Sequence, residues 1–302
     1  MAGIRPVISQ IIMLFIIAGL GLFLRRIKLL TDPVIKGINR LVLSVTTPAM
    51  VLMVTQKEYR PEMMKGFAQV LIVGIVAMSV GCLGAFALYG SGKRKSYQSV
   101  AAMLSGMPNA AYIGLPIINA AYGSEGTLFL AAYIIAFNLV EWTLAVALFE
   151  GFQLKALKNV INPGFIATIV GTLLYMLKIA LPAPLLSATE QLGAVNTPLS
   201  LLLLGARMEQ LRPKQLLNLH LWIPCLLRLL VIPLCTLGVC RLIGMDGMAM
   251  GIAVLSTGMP AAVASQLFAE RYDREVTYAS VGVSVSTILC LFSIPLLLLL
   301  MG

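Results

Sequence analysis

The sequence has very little charge. Only 11% of its 302 residues are Asp, Glu, Lys or Arg, whereas soluble domains carry roughly 25%. Hydrophobic residues make up 59% of the chain, and the mean hydropathy is +0.95. A chain of this composition cannot cover a surface that faces water. We therefore expect an all-α integral membrane protein whose solvent is the lipid bilayer.

The motifs of several other classes are also missing. The chain has no G-x-S-x-G, no H-E-x-x-H and no cluster of carboxylates, which the corresponding hydrolases need for catalysis. Its five cysteines lie within apolar runs and show no C-x-x-C spacing, so they indicate neither a metal site nor a disulfide framework. Lys and Arg form short clusters between apolar runs and not a basic face with aromatic residues. We expect no enzymatic activity, no cofactor, no metal and no nucleic-acid partner.

What the sequence does have is a series of long apolar runs. About 20 residues are needed for a helix to cross ~30 Å of hydrocarbon. Six uncharged runs meet this length, and four more do so if one charge or a shorter run is accepted. Together they predict ten transmembrane helices, at residues 6–24, 37–56, 66–92, 96–124, 126–149, 159–177, 191–206, 215–240, 247–269 and 276–302.

The 22 Lys and Arg residues predict the orientation of these helices. With the N-terminus outside, thirteen of them lie on inner loops and six on outer loops. Cytoplasmic loops of membrane proteins carry such an excess of positive charge. The prediction is a multi-pass protein of the cytoplasmic (inner) membrane with both termini outside.

Three landmarks of the first half recur in the second half in the same order. The spacing is 150 residues for the first pair and 152 for the other two, which are, in order, Thr47-Pro48 with Thr197-Pro198, Arg60-Pro61 with Arg212-Pro213, and Ser105-Gly106-Met107-Pro108 with Thr257-Gly258-Met259-Pro260. The chain is thus predicted to be a single transmembrane transporter domain, 1–302, made of two repeats, about 1–152 and 153–302. Five helices in each repeat force the second to insert upside down, which is the inverted-repeat architecture of many secondary transporters.

Helices four and nine each carry a proline in the middle. Proline removes a backbone hydrogen bond and clashes with the preceding turn, and in lipid the freed groups must be satisfied by protein or by a water-filled cavity. For one helix alone, a simple kink is an equal alternative. Matched breaks in two inverted halves are expected to meet near the bilayer midplane, where half-helix N-termini hold an anion. The predicted substrate-binding residues are Pro108, Asn109, Ala110, Pro260 and Ala261. Because Ala261 is the counterpart of Asn109, the pocket is expected to be asymmetric.

Hydroxyl and amide side chains precede the prolines of helices two and seven. Thr47, Asn196 and Thr197 are predicted to line the substrate pocket, because they recur in both halves. The alternative is that they bond backbone carbonyls freed by the prolines.

Two residues are candidates for binding a coupling ion. Glu141 is the one acid well inside a predicted span, and intramembrane acids are functional candidates by default. An ion pair with Arg40 or Arg228 is the structural alternative for Glu141. Gln266, close behind the second break, is the other candidate. Coupling to H⁺ and coupling to Na⁺ both remain open.

Several segments together resemble the auxin efflux carrier family, of the bacterial permease type. They are Asn39-Arg40-Leu41-Val42-Leu43, Thr47-Pro48-Ala49, the run from Gly106-Met107-Pro108-Asn109 to Leu115-Pro116, Gly258-Met259-Pro260-Ala261, Ala264-Ser265, and Ala269-Glu270-Arg271-Tyr272. The resemblance implies crossover helices four and nine in the fold of the bile acid:sodium symporters. It also implies a scaffold of helices 1, 2, 6 and 7 and a transport unit of helices 3–5 and 8–10 that moves as an elevator.

The function that follows is a secondary active or facilitative transporter. It is expected to move a small organic anion, a carboxylate, across the membrane by elevator-type alternating access. In the plant carriers an Asn accompanies each crossover proline, so Ala261 favours a substrate other than auxin. Two alternatives remain: a sodium-coupled carrier of bile-acid-like amphipaths, and a membrane sensor that binds a ligand without flux. A homodimer is compatible with the sequence.

Overall fold

A computed structural model describes residues 4–56, 60–90, 96–151, 163–209, 215–216, 218–245 and 247–301. The described chain is mostly helical, and its β-type pairing is confined to one isolated bridge. The Arg212-Pro213 landmark and the basic clusters at 93–95 and 155–158 lie outside the described residues.

Apart from short 3-10 turns, twelve helical segments follow one another in the described part of the chain. They are α1 (Ile4–Arg26), α2 (Asp32–Thr55), α3 (Pro61–Leu88), α4 (Gln98–Gly106), α5 (residues 110–122), α6 (Glu125–Glu150), α7 (Pro163–Met176), α8 (Ala183–Met208), α9 (Leu219–Leu242), α10 (Gly247–Thr257), α11 (Ala264–Arg271) and α12 (Val276–Met301). Each of the ten predicted segments contains a helix. The fourth contains the pair α4 and α5, and the ninth contains the pair α10 and α11.

Five of these helices are long and apolar enough to cross a membrane, namely α2, α3, α6, α9 and α12. Two shorter helices, α7 and α10, are also apolar. The multi-helix, apolar character predicted from the composition is therefore confirmed.

Some helix boundaries differ from the sequence prediction. Helix α8 begins at Ala183 although the predicted run began at 191. The predicted run stopped at Glu190 because that residue is charged. In the structure the helix continues through Glu190, whose side chain is exposed. Helix α2 similarly begins at Asp32, with Pro33 in its first turn. A proline is tolerated there because N–H groups of the first turn have no acceptor within the helix. Gly123, at φ 70°, separates α5 from α6.

The helices turn large apolar side chains outward and small or polar ones inward. Along α12, Phe292 is 73% exposed, whereas Ser280, Ser284 and Thr287 are buried. On α1, Ile16 is 67% exposed. A soluble protein distributes these residues the other way round. The surface is thus suited to a hydrocarbon solvent, in which polar side chains are satisfied between helices.

Two groups of helices pack mainly among themselves. Helix α1 packs on α8, and α2 packs on α7 and α8. The α1–α8 contact is so close at Gly21 that only a glycine fits. A Cβ there would overlap the backbone oxygen of Leu202 and lie 2.8 Å from its Cα. In the second group, α3 packs on α4, on the helical run 115–140 and on α10. Helix α12 packs on α4, α9, α10 and α11, and also meets α1 and α8 of the first group.

Candidate functional site

The two proline-containing segments are broken where the sequence predicts. Helix α4 ends at Gly106, Met107 is extended with φ −101° and ψ 106°, and helical structure resumes at Ala110. Helix α10 ends at Thr257 and α11 begins at Ala264. Gly106 is required at the first break because a Cβ there would lie 2.6 Å from the backbone nitrogen of Cys82 on α3.

The two breaks lie side by side and pair with each other. Pro108 and Ala261 form an antiparallel bridge. The backbone N–H of Asn109 donates to the carbonyl oxygen of Pro260 at 2.7 Å, and that of Ala262 donates to Met107 at 2.9 Å. This exchange satisfies backbone groups that the broken helices leave without intrahelical partners, as burial requires.

A cavity of about 330 Å³ lies beside the paired breaks. It is bounded by residues of α2, α6, α7 and α11, and by the first break with the turn that follows it. This volume is at the lower end of the roughly 300–1,000 Å³ typical of small-molecule sites. The first turns of α5 and α11 reach the cavity through Ala111 and Ala264, so the positive ends of both helices lie beside it.

The cavity is lined by uncharged polar groups, two charges and aromatic rings. The polar lining includes three amides, Asn39, Asn109 and Asn138, and three hydroxyls, Ser44, Thr47 and Tyr112. The charges are Glu141 and Arg271, and the rings are those of Phe137, Trp142 and Phe268. A few polar groups on an apolar wall are typical of sites that orient a small ligand.

Three π-helical turns supply much of this lining. Val42–Thr46 contributes Ser44, Ala110–Gly114 contributes Tyr112, and Glu141–Ala145 contributes Glu141. A π turn inserts one residue into a helix and rotates the residues that follow, and such turns are frequent at functional sites. Hydropathy along the sequence does not reveal these turns, because one inserted residue does not change how apolar the surrounding run is.

Glu141 is 7% exposed and faces the cavity. Among the described residues, ion pairs join Arg25 to Asp32 and Glu209, and Arg60 to Glu125, and none involves Glu141. The structural alternative of a pair with Arg40 or Arg228 is therefore not found in that part of the chain. A buried carboxylate without a charged partner is costly.

Thr47 is held in place by Asn196, which is fully buried on α8. The side-chain oxygen of Asn196 accepts hydrogen bonds from Thr46 at 2.6 Å and from Thr47 at 3.1 Å. The amide nitrogen of Asn196 donates to the sulfur of Met50 at 3.2 Å. Asn196 thus joins α8 to the proline-containing turn of α2 from behind the cavity.

Comparison with known proteins decides the family. The sequence model of the family described as membrane transport protein matches residues 6–158 and 152–298. The chain belongs to this family, the auxin efflux carrier family. A protein of Methanothermobacter thermautotrophicus described as an uncharacterized transporter is 24% identical over 299 residues, which cover 95% of this chain and 96% of that protein. Membership in a transporter family and the apolar helices together make this a multi-pass membrane transport protein.

In this member of the auxin efflux carrier family, four of the predicted site residues line the cavity: Thr47, Pro108, Asn109 and Glu141. The others lie near it but outside its lining. Ala110 and Ala261 are buried, Asn196 is behind Thr47, and Thr197 is half-buried. Pro260 is in the paired break, and the amide of Gln266 donates to Glu270 at 2.9 Å within α11.

The predicted asymmetry between the two breaks is visible in the partners of Asn109 and Ala261. The Asn109 side chain faces the cavity. The backbone N–H of Ala261 donates to the hydroxyl of Ser286 on α12 at 3.0 Å, so this break is anchored to a neighbouring helix.

Several lining residues of this family member were not assigned to the site from the sequence. Asn39, Tyr112 and Arg271 lie within the segments that carry the resemblance, so the signal was present without a role. Asn138 belongs to none of these segments, but it stands three residues before Glu141 and therefore on the same face of the helix, so its spacing was the signal.

Proposed function

We propose that the protein is a secondary transporter that moves a small organic anion, a carboxylate, across the cytoplasmic membrane. The observation that carries this proposal is the antiparallel pairing of two broken helices beside a cavity of about 330 Å³. Paired breaks of this kind form the midplane substrate sites of several secondary transporters.

The lining of the cavity supports an anionic substrate. The positive ends of the helix dipoles at α5 and α11 favour a negative charge. Arg271 adds a full positive charge, and Asn109 adds an amide donor at the end of the first break. Phe137, Trp142 and Phe268 provide an apolar wall for the body of the ligand. The proposed substrate therefore has a carboxylate at one end and an apolar part at the other.

We also propose that all ten predicted segments cross the membrane, with both termini outside and the repeats inverted. Polar contacts between loops support this topology. Arg25 pairs with Glu209 at 2.9 Å, and both belong to loops predicted inside. Arg60 pairs with Glu125, and both belong to loops predicted outside. The N–H of Leu181, also in a loop predicted outside, donates at 2.8 Å to Gln56, the last residue of a span predicted to end on that side.

The position of the cavity supports an elevator-type movement. Asn39 and Thr47 on α2 and Gly164 on α7 line one side, and they belong to the proposed scaffold of helices 1, 2, 6 and 7. Asn109, Glu141 and the residues of α11 line the other side and belong to the proposed transport unit. A substrate held between two separately packed groups of helices changes sides when one group slides past the other.

Glu141 is the proposed coupling residue. It faces the cavity without an ion pair among the described residues, so taking up and releasing a proton there would link proton movement to substrate movement. Gln266 is a weaker candidate, because its amide is engaged by Glu270.

Ligand binding by the purified protein tests the site. We expect one or more acids from a panel of monocarboxylates, dicarboxylates and indole acids to raise the melting temperature of the wild type. Asn109→Ala should weaken the binding of that acid roughly 10- to 100-fold, because it removes a hydrogen bond to a charged group.

The matched control is Thr236→Ala, which truncates a buried polar residue of α9 whose hydroxyl donates to Ile232 at 2.8 Å, away from the cavity lining. Its affinity should equal that of the wild type. Equal affinity of Asn109→Ala and the wild type would overturn the assignment of the site.

A further inference from the structure

A buried arginine lies in the middle of α9. Arg228 is 0% exposed and belongs to the π turn Leu227–Val231. A guanidinium so far from water is costly unless its surroundings compensate the charge. The ion pairs found among the described residues do not include Arg228. Its charge must therefore be balanced by something other than a carboxylate in that part of the chain.

Arg228 donates hydrogen bonds to both broken helices. Its Nη1 donates to the carbonyl oxygen of Ser105 at 2.9 Å, and its Nη2 donates to the carbonyl oxygen of Thr257. Ser105 is at the end of α4 and Thr257 ends α10. The two residues occupy equivalent positions in the two repeats, 152 residues apart.

The prolines of the breaks explain why these two carbonyls need a donor. The residue three positions after Ser105 is Pro108, and the residue three positions after Thr257 is Pro260. Neither proline has an N–H group. The next N–H groups are also taken, since Asn109 donates to Pro260 and Ala261 donates to Ser286. The carbonyls of Ser105 and Thr257 are thus left without a helical donor, and Arg228 satisfies both.

The charge of Arg228 matches the two helix ends. Each helix C-terminus carries roughly half a negative charge, so α4 and α10 together present about one negative charge to the guanidinium. The planar fork of an arginine can donate to two acceptors at once. In other secondary transporters, unwound carbonyls and half-helix C-termini coordinate a coupling cation such as Na⁺.

We propose that the guanidinium of Arg228 is a permanent cation at the paired breaks. It occupies the place of a coupling metal ion and makes substrate binding independent of Na⁺. The first part concerns the stability of the paired breaks and stands without any substrate. The second part, on substrate binding, rests on the proposed function. Arg228 is a positioning residue, because it holds the two breaks together and is not among the residues that line the cavity.

Chemical rescue of an alanine variant tests the proposal. Purified Arg228→Ala should melt roughly 5–10 °C below the wild type, because it leaves two buried carbonyls and two helix ends uncompensated. Guanidinium chloride, well below denaturing concentrations, should restore most of this loss by filling the vacated space. Choline chloride and urea should not, because choline is too large and urea is uncharged.

Three further variants control the rescue. Arg228→Met fills the space without charge, so it should melt low and gain nothing from guanidinium. Arg228→Lys keeps the charge and should melt closer to the wild type. Arg241→Ala removes an exposed arginine at the end of the same helix, which donates to Leu300 at 3.1 Å, and guanidinium should not change its melting temperature.

Several results would overturn the proposal. One is an Arg228→Ala variant that melts like the wild type or that responds equally to guanidinium and choline. If Arg228→Ala yields no folded protein, the Lys and Met variants decide, and a Met variant as stable as the Lys variant contradicts a need for charge.

The sodium arm uses the wild type. Its melting temperature, and its affinity for the acid found in the panel, should be the same in sodium chloride and choline chloride. A rise specific to Na⁺ would contradict the inference. The melting experiments contain no substrate, so their outcome is separable from that of the ligand-binding test.

Discussion

The link between Asn196 and the proline-containing turn of α2 gives a quantitative prediction. Asn196 is fully buried and accepts two hydrogen bonds from Thr46 and Thr47 on the neighbouring helix. Asn196→Leu keeps a similar volume but removes both. Hydrogen bonds between membrane helices are worth on average about 0.6 and at most about 1.7 kcal/mol each. Two such bonds give a loss of about 1–3 kcal/mol, or roughly 2–5 °C in melting temperature for a chain of this length.

Reversible unfolding in mixed micelles measures this loss. The control is Thr189→Val on the same helix, because the Thr189 hydroxyl donates to Leu186 within α8 at 2.8 Å and bonds no second helix among the described residues. It should cost well under 1 kcal/mol, since the Leu186 carbonyl remains in the helix ladder.

A double-mutant cycle with Thr46→Val isolates the contact itself. The double variant should lose less than the sum of the two single variants, by at least about 0.5 kcal/mol. Because Thr47 lines the cavity, Asn196→Leu should also weaken ligand binding. The reasoning is refuted if Asn196→Leu costs no more than Thr189→Val, or if the two single losses add within about 0.3 kcal/mol.

Two further outcomes follow from the packing and from the cavity. Gly21→Ala should destabilise the protein by about 1–3 kcal/mol, because its Cβ would overlap the backbone of Leu202. The control is Gly19→Ala, whose Cβ would have nothing within 4 Å. It should be neutral or stabilise the protein by up to about 1 kcal/mol. Thermal melting distinguishes them, and equal losses would contradict the close α1–α8 contact. Glu141→Gln should abolish substrate accumulation driven by an imposed pH gradient while leaving substrate exchange intact. Accumulation at the wild-type level would remove Glu141 from the coupling role.

The sequence was sufficient for the features that depend on composition and on local backbone chemistry. Apolar runs located helices in all ten predicted segments, since lipid-facing helices must be apolar around much of their surface. The prolines at 108 and 260 located the breaks, because proline cannot continue the hydrogen-bond ladder. The recurrence of Gly-Met-Pro after 152 residues related the two breaks to each other.

The partners of individual polar side chains could not be predicted in this way. Arg228 was an isolated charge in an apolar run, and its two acceptors are backbone oxygens that any sequence provides. Asn196 was expected in the pocket, yet its bonds to Thr46 and Thr47 place it behind the lining. Arg271 reaches the cavity from the end of α11. These positions depend on how helices distant in sequence pack together, which hydropathy does not describe.

Flux through the purified protein in liposomes tests the central claim most directly. The substrate would be the acid that most stabilises the wild type, measured by its entry into liposomes loaded with the same unlabelled acid. The account predicts uptake by the wild type and by Thr236→Ala, and uptake reduced roughly tenfold or more for Asn109→Ala when the acid is well below saturation. No uptake above protein-free liposomes for any stabilising acid, or unchanged uptake by Asn109→Ala, would contradict it.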